Sequence, residues 1–140
     1  MIFLGSDHAG FRLKARVAEY LHRRGIRFAD LGAYSEEPVD YPDIAFKVAR
    51  KVRAAKAKGI LICGAGVGIC IAANRIKGIR AGLCTDIYAA RMSRRDDDAN
   101  ILCLRGRNFN YSKALRIVNV FLSTRFYGAS RHRRRIRKLG

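Results

Sequence analysis

Gly59-Ile60-Leu61-Ile62-Cys63-Gly64-Ala65-Gly66-Val67-Gly68 is the stretch on which the fold turns. Residues 59–63 form a short apolar run, as expected of a strand buried on both faces. Glycines 64, 66 and 68 end it, and the apolar pattern resumes as a helix through Asn74. Glycine lets backbone N–H groups turn inward, and a helix start adds partial positive charge. Such a nest can hold a phosphate or a developing oxyanion. The spacing is neither a Rossmann fingerprint nor a P-loop, and a plain tight strand–helix turn is the structural alternative.

Working outward, the same alternation recurs. Ile2 to Gly5 reads as a buried strand ending at Ser6-Asp7-His8. Leu13, Val17 and Leu21 mark one face of a helix over about 11–24, which Gly25 stops. Ile26 to Leu31 is a second strand. Gly32 to Asp43, with both prolines, reads as the longest loop, and a helix is expected from Ile44 to Ala57. Strands are expected at 79–84 and 100–104, and helices at 86–95 and 111–122. The tail from Ser130 is strongly basic, and helical or extended. Five strands alternating with helices predict an α/β fold: a three-layer α/β/α sandwich on a parallel, Rossmann-like sheet. At 140 residues, one domain spanning 1–140 is expected.

Parallel sheets bind ligands beyond their C-terminal strand ends. Three clusters are expected to converge there: Asp7 with His8, Cys63 with its glycines, and the acidic run after Arg95. Cys63 against the nest can serve as nucleophile or base, with a small buried apolar residue as the alternative. That alternative is the better reading of Cys70, Cys84 and Cys103. Asp7 and His8 are two proton-transfer groups at one strand end, or else Ser6 or Asp7 merely caps a helix. Asp96-Asp97-Asp98 cannot all face one ion from a regular element, and the cysteines lack CxxC spacing, so no metal is expected.

The chain carries 29 Lys+Arg against 11 Asp+Glu, a net charge of +18, with +5 in residues 1–70 and +13 in residues 71–140. That field attracts phosphorylated metabolites, nucleic acid or acidic membranes without choosing among them. The run Arg131 to Lys138 has no interleaved aromatics, so a stacking platform for single strands is unsupported. No apolar run approaches the roughly 18–20 residues of a membrane span. No basic leader precedes the first strand, so export is not expected, and the cysteines read as reduced thiols of a cytoplasmic protein.

Taken in order, these motifs resemble the ribose-5-phosphate isomerase B family, which includes the galactose-6-phosphate isomerase subunits. The matching residues are Gly5-Ser6-Asp7-His8-Ala9-Gly10, Val39-Asp40-Tyr41-Pro42-Asp43 and Ile60-Leu61-Ile62-Cys63-Gly64. They continue with Ile71-Ala72-Ala73-Asn74-Arg75, Lys77-Gly78-Ile79-Arg80, Asp98-Ala99-Asn100 and Arg131-His132, covering nearly the whole chain. The resemblance implies an aldose–ketose isomerase of a phosphorylated sugar working through a cis-enediolate. Ribose 5-phosphate to ribulose 5-phosphate is the leading reaction. A tetrose or hexose phosphate is the rival substrate, and a basic nucleic-acid-binding protein on a retained fold is the rival class, with nucleic acid not expected as a partner.

By the same resemblance, Cys63 is the base, and the backbone of Gly64, Ala65, Gly66 and Gly68 stabilises the enediolate. Asp7 and His8 handle hydroxyl protons. Tyr41 lines the sugar pocket, and Asp97 and Asn100 bind substrate. Arg107, Arg131, His132 and Arg135 hold the phosphate, the last three from the basic tail. No cofactor is implied. The assembly implied is a homodimer, or a dimer of dimers, with active sites shared between subunits. The chain departs from the family at Ala65, where Thr is common, at Thr85, where His is frequent, and at Asp96. The family His at position 96 is credited with opening the furanose ring. Asp96 is therefore the catalytic position where this chain differs most.

Overall fold

The structure is a computed structural model describing residues 1–140. It contains β1 (Ile2–Ser6), α1 (Phe11–Arg23), β2 (Phe28–Asp30), α2 (Tyr41–Ala55), β3 (Lys58–Cys63) and α3 (Val67–Ala73). These are followed by β4 (Ala81–Leu83), α4 (Ile87–Arg95), β5 (Ile101–Arg105), α5 (Tyr111–Ser123) and α6 (Ser130–Leu139). All strand pairs are parallel, in the order β2-β1-β3-β5-β4. The expected three-layer architecture is therefore the one observed. No helix is long and apolar enough to cross a membrane.

Side-chain alternation along β3 decides the layers. Ile60 and Ile62 join Leu4, Leu102 and Leu104 under α1 and α5, through Leu13, Val17, Ile117 and Phe121. Leu61 and Cys63 face the other way with Ile101 and Cys103, under Ile44 and Val48 of α2 and Ile69 of α3. Each fully buried Leu or Ile contributes about 1.5–3 kcal/mol of transfer free energy. A central strand buried on both faces cannot slip its register without exposing one of these sets.

From β1 the chain winds outward to β2, then returns to place β3 on the other side of β1. Strand order reverses there, and a crevice opens beyond the strand ends at such a reversal. Ser6 and Cys63 end the two strands involved.

Helix α2 begins at Tyr41, three residues before the expected start, with Asp40 at the N-cap and Pro42 in the first turn. Proline's fixed φ suits a first turn, so Pro42 opens the helix and does not belong to the loop. The basic tail is helical. Helix α3 is only seven residues long, so its nearest N–H groups matter more than any macrodipole.

One expectation fails outright. The acidic run lies between the end of α4 and the start of β5, not at a C-terminal strand end. A helix following a parallel strand runs back to the opposite edge, so residues 96–100 sit at the N-terminal edge of the sheet.

Candidate active site

Asp7 follows β1 directly. Its N–H donates to Ile62 O at 3.1 Å, tying it to β3. Its Oδ1 accepts the Gly10 N–H at 3.1 Å, capping the short turn that precedes α1. The capping role is therefore real, yet it occupies one carboxylate oxygen and leaves the other for chemistry. His8 Nδ1 accepts the Val39 N–H at 3.2 Å. In the neutral ring the proton then resides on Nε2, which can donate to a ligand. Composition and spacing could not reveal this partner, because a backbone donor carries no sequence signal.

Cys63 ends β3 with a free thiol, 6 % exposed. Its carbonyl accepts the Gly106 N–H at 2.9 Å, and Gly64 O accepts the Arg107 N–H at 3.1 Å. Those bonds clamp the turn from below. Residues 65–68 donate no backbone hydrogen bond to another loop or element. The first N–H groups of a helix have no partner within it, so the nest keeps its donors. Gly66 is the residue that shapes it. Its φ is +80°, and a Cβ there would stand 3.0 Å from Leu104 O and 2.5 Å from Leu83 Cδ1. Tyr41, 39 % exposed, lies over Gly68, where a Cβ would come within 2.8 Å of its ring. The early start of α2 places it there.

Arg107 spans the mouth of the turn, with Nη1 3.3 Å from where a Gly64 Cβ would be. Arg105, paired in register with Cys63, donates from Nε to Arg107 O at 2.8 Å. Sequence reasoning passed over Arg105; a cation on the last residue of a buried strand is the signal that could have found it. The edge also rests on Lys14, 1 % exposed, whose Nζ donates to Asp30 Oδ1 at 2.7 Å and to the Ala33 carbonyl. A buried charge needs such partners.

Asp7, His8, Tyr41, Cys63, Gly64, Ala65, Gly66, Gly68 and Arg107 thus share one edge of the sheet. The remaining expected residues do not join them. Asp96 caps the C-terminus of α4, its Oδ1 2.8 Å from Arg95 Nη1 and 3.5 Å from His132 Nε2. The Tyr127 N–H donates to Arg95 O at 2.9 Å, and the Tyr127 ring packs edge-on against His132. These contacts dock α6 on the end of α4. Arg95 and Arg131 both lie over the Tyr127 ring. Asp97 is exposed and lines a cavity with Leu139 of α6. Asp96, Asp97, Arg131, His132 and Arg135 therefore belong to the N-terminal edge, and within one chain the single crevice expected from the sequence is divided into two separate groups.

Asn100, just before β5, also lies at the N-terminal edge. Its Oδ1 accepts the Arg80 N–H at 2.8 Å and its Nδ2 donates to Gly78 O at 2.9 Å. Both amide atoms brace the approach to β4. The other thiols keep their structural reading. Burial pushes Cys84 up to about 11 and raises Cys103, while a hydrogen bond with Cys103 lowers Cys70.

Known proteins share this arrangement. The family described as Ribose/Galactose Isomerase matches residues 2–139. Ribose-5-phosphate isomerase B of Escherichia coli K12 is 42 % identical over 136 residues, covering 96 % of this chain and 91 % of that protein. The crystal structure of a ribose 5-phosphate isomerase from Thermotoga maritima superposes with a TM-score of 0.96 at 52 % identity, over 99 % of this chain and 95 % of that one. The enzyme from Mycoplasma genitalium, solved with bound ribulose-5-phosphate, gives 0.93 at 45 % identity, over 99 % and 92 %. A match over residues 2–139, in sequence and in fold alike, places this protein in the ribose/galactose isomerase family.

Proposed function

We propose that this chain interconverts ribose 5-phosphate and ribulose 5-phosphate through a cis-enediolate. The observation that carries the reading is the free Cys63 thiol at the mouth of a loop whose backbone N–H groups are unspent. The likeness to an isomerase solved with bound ribulose-5-phosphate supports the choice of substrate.

Cys63, as thiolate, removes the proton from C2 of the open-chain aldose. The electron pair moves into the C1–C2 bond, and charge develops on O1, where the N–H groups of residues 65–68 can receive it. The thiol returns the proton to C1. Asp7 and His8 move the hydroxyl proton from O2 to O1, leaving the ketone at C2. Tyr41 packs the sugar, and Arg107 adds positive charge beside the turn.

The phosphate falls to Arg131 and Arg135, whose planar forks suit a dianion. They stand at the other edge of the sheet, so a second copy of the chain supplies them. The working unit is then a homodimer in which α6 of one subunit, with Asp96, Asp97 and His132, completes the site of its partner. Val67 and Ile71 are exposed one turn apart on α3, beside the nest, and offer an apolar surface for that contact. Four free cysteines suit a reducing compartment such as the cytoplasm.

A panel of aldose phosphates of four to six carbons, assayed for ketose formation, tests the reading. Ribose 5-phosphate should be the best substrate, and no ketose from any member would overturn it.

A further inference from the structure

The chain contains two desolvated lysines, and they differ in one respect. Lys14 has a carboxylate and a carbonyl. Lys58, the first residue of β3 and half-buried, has neither a hydrogen-bond acceptor nor an ion-pair partner. Burial, together with repulsion from Arg94, lowers its pKa against a weaker opposing attraction from Asp98, which is not close enough to pair with it.

Lys58 lines a pocket of about 300 Å³ with Arg53, Lys56, Arg80, Arg94 and Asp98. That is five cations against one carboxylate. Asp98 is already divided, its Oδ1 2.8 Å from Arg94 Nη1 and its Oδ2 3.3 Å from Arg80 Nη2. Three cations remain without a counter-charge. Arg53 and Lys56 stand at the end of α2, where cations complement the helix carbonyls. That account fails for Lys58, which is on a strand. It is also incomplete for the other two, because Val52 O and Arg53 O accept the N–H groups of Ala57 and Lys56 instead.

We propose that this pocket binds a phosphate-bearing anion, either inorganic phosphate or the phosphate of a phosphomonoester, through Arg53, Lys56 and Lys58. It lies at the opposite end of β3 from Cys63, about 16 Å along the strand. None of Asp96, Asp97, Arg131, His132 or Arg135 lines it. It is therefore a second anion site, separate from the one proposed for the substrate phosphate, and binding there would supply the charge that Lys58 lacks.

The test is calorimetric titration of the wild type, Lys58→Gln and Lys58→Arg with inorganic phosphate and, separately, with glycerol phosphate. Chloride holds the ionic strength constant. Lys58→Gln should weaken one class of site at least fivefold, Lys58→Arg should retain it, and kcat and KM for ribose 5-phosphate in phosphate-free buffer should not change. Tighter binding of glycerol phosphate assigns a phosphomonoester, and equal binding assigns the inorganic ion. The exposed pair Arg53→Gln and Lys56→Gln provides the same test should the strand variant fold poorly. Isotherms unchanged in all these variants would overturn the proposal.

Discussion

The two edges of the sheet carry similar residue types and use them in opposite ways. At the C-terminal edge Asp7 keeps one carboxylate oxygen open, the Cys63 thiol is free, and residues 65–68 hold back their donors. At the N-terminal edge Asn100 has spent both amide atoms, Asp98 both oxygens, and Arg94 its Nη1 on Asp98 and Ala99 O. A buried polar network with every partner in place rigidifies the structure. Chemistry needs the reverse: groups held in position from behind, with a free face in front. One edge therefore keeps free groups in front of a braced turn, and the other is mostly bracing, with free cations only on its flank, α6, and in the pocket of Arg53, Lys56 and Lys58.

The largest test of that division is Cys63→Ala. Loss of a general base should lower kcat on ribose 5-phosphate by about 10²–10⁴, while Cys70→Ala, whose thiol meets the Ala81 carbonyl, Asn74 and Cys103 away from the nest, should be tolerated. Near-normal turnover of Cys63→Ala would remove the thiol from the mechanism.

Lys14→Ala should damage the same edge by another route. It strips Asp30 of its ion pair and leaves a cavity, for a loss of about 2–4 kcal/mol in unfolding free energy. Denaturant unfolding measures it, and hydrogen exchange should show the loosening in residues 30–34 before α6.

Arg131→Ala sharpens the comparison from the far edge. It should raise KM for ribose 5-phosphate by about 1.5–3 kcal/mol in transition-state binding with kcat little changed. A fall in kcat at constant KM would move Arg131 from binding into the chemical step.

Mixing subunits gives the smallest signal and the most pointed one. Cys63→Ala and Arg131→Ala damage different halves of a shared site, so hybrid dimers regain one intact site. Assayed at ribose 5-phosphate well below the wild-type KM, where both parent variants are slow, random reassortment of equal amounts should restore about a quarter of wild-type activity. Failure to regain any, in a sample shown by light scattering to be dimeric and exchanged, would place both residues in a site built from one chain.

Asp96 stands where the family resemblance implies a ring-opening histidine. Its carboxylate is engaged by Arg95 and lies near His132, so it serves to anchor α6 and is poorly placed to donate a proton. The burden then shifts to Asp7 or His8, or to the open-chain fraction of the substrate.

Much of this was legible in the sequence. The apolar run at 59–63 and the glycines after it determined a buried parallel strand and an anion-binding turn, because periodicity and backbone freedom are local properties. Leu13, Val17 and Leu21 determined the buried face of α1 for the same reason. What the sequence could not decide was where separate segments meet. It gathered Asp96, Arg131 and Cys63 into one site, and only the winding of α4 back across the sheet, with α6 docked on its end, put the first two at the other edge. The family resemblance alone made Asn100 a ligand contact, and only tertiary packing revealed Gly78 and Arg80 as its partners. Lys14 and Lys58 look alike in a sequence. Whether a buried ammonium finds a carboxylate depends on residues distant in the chain, and that is settled only when the strands are paired and the helices laid against them.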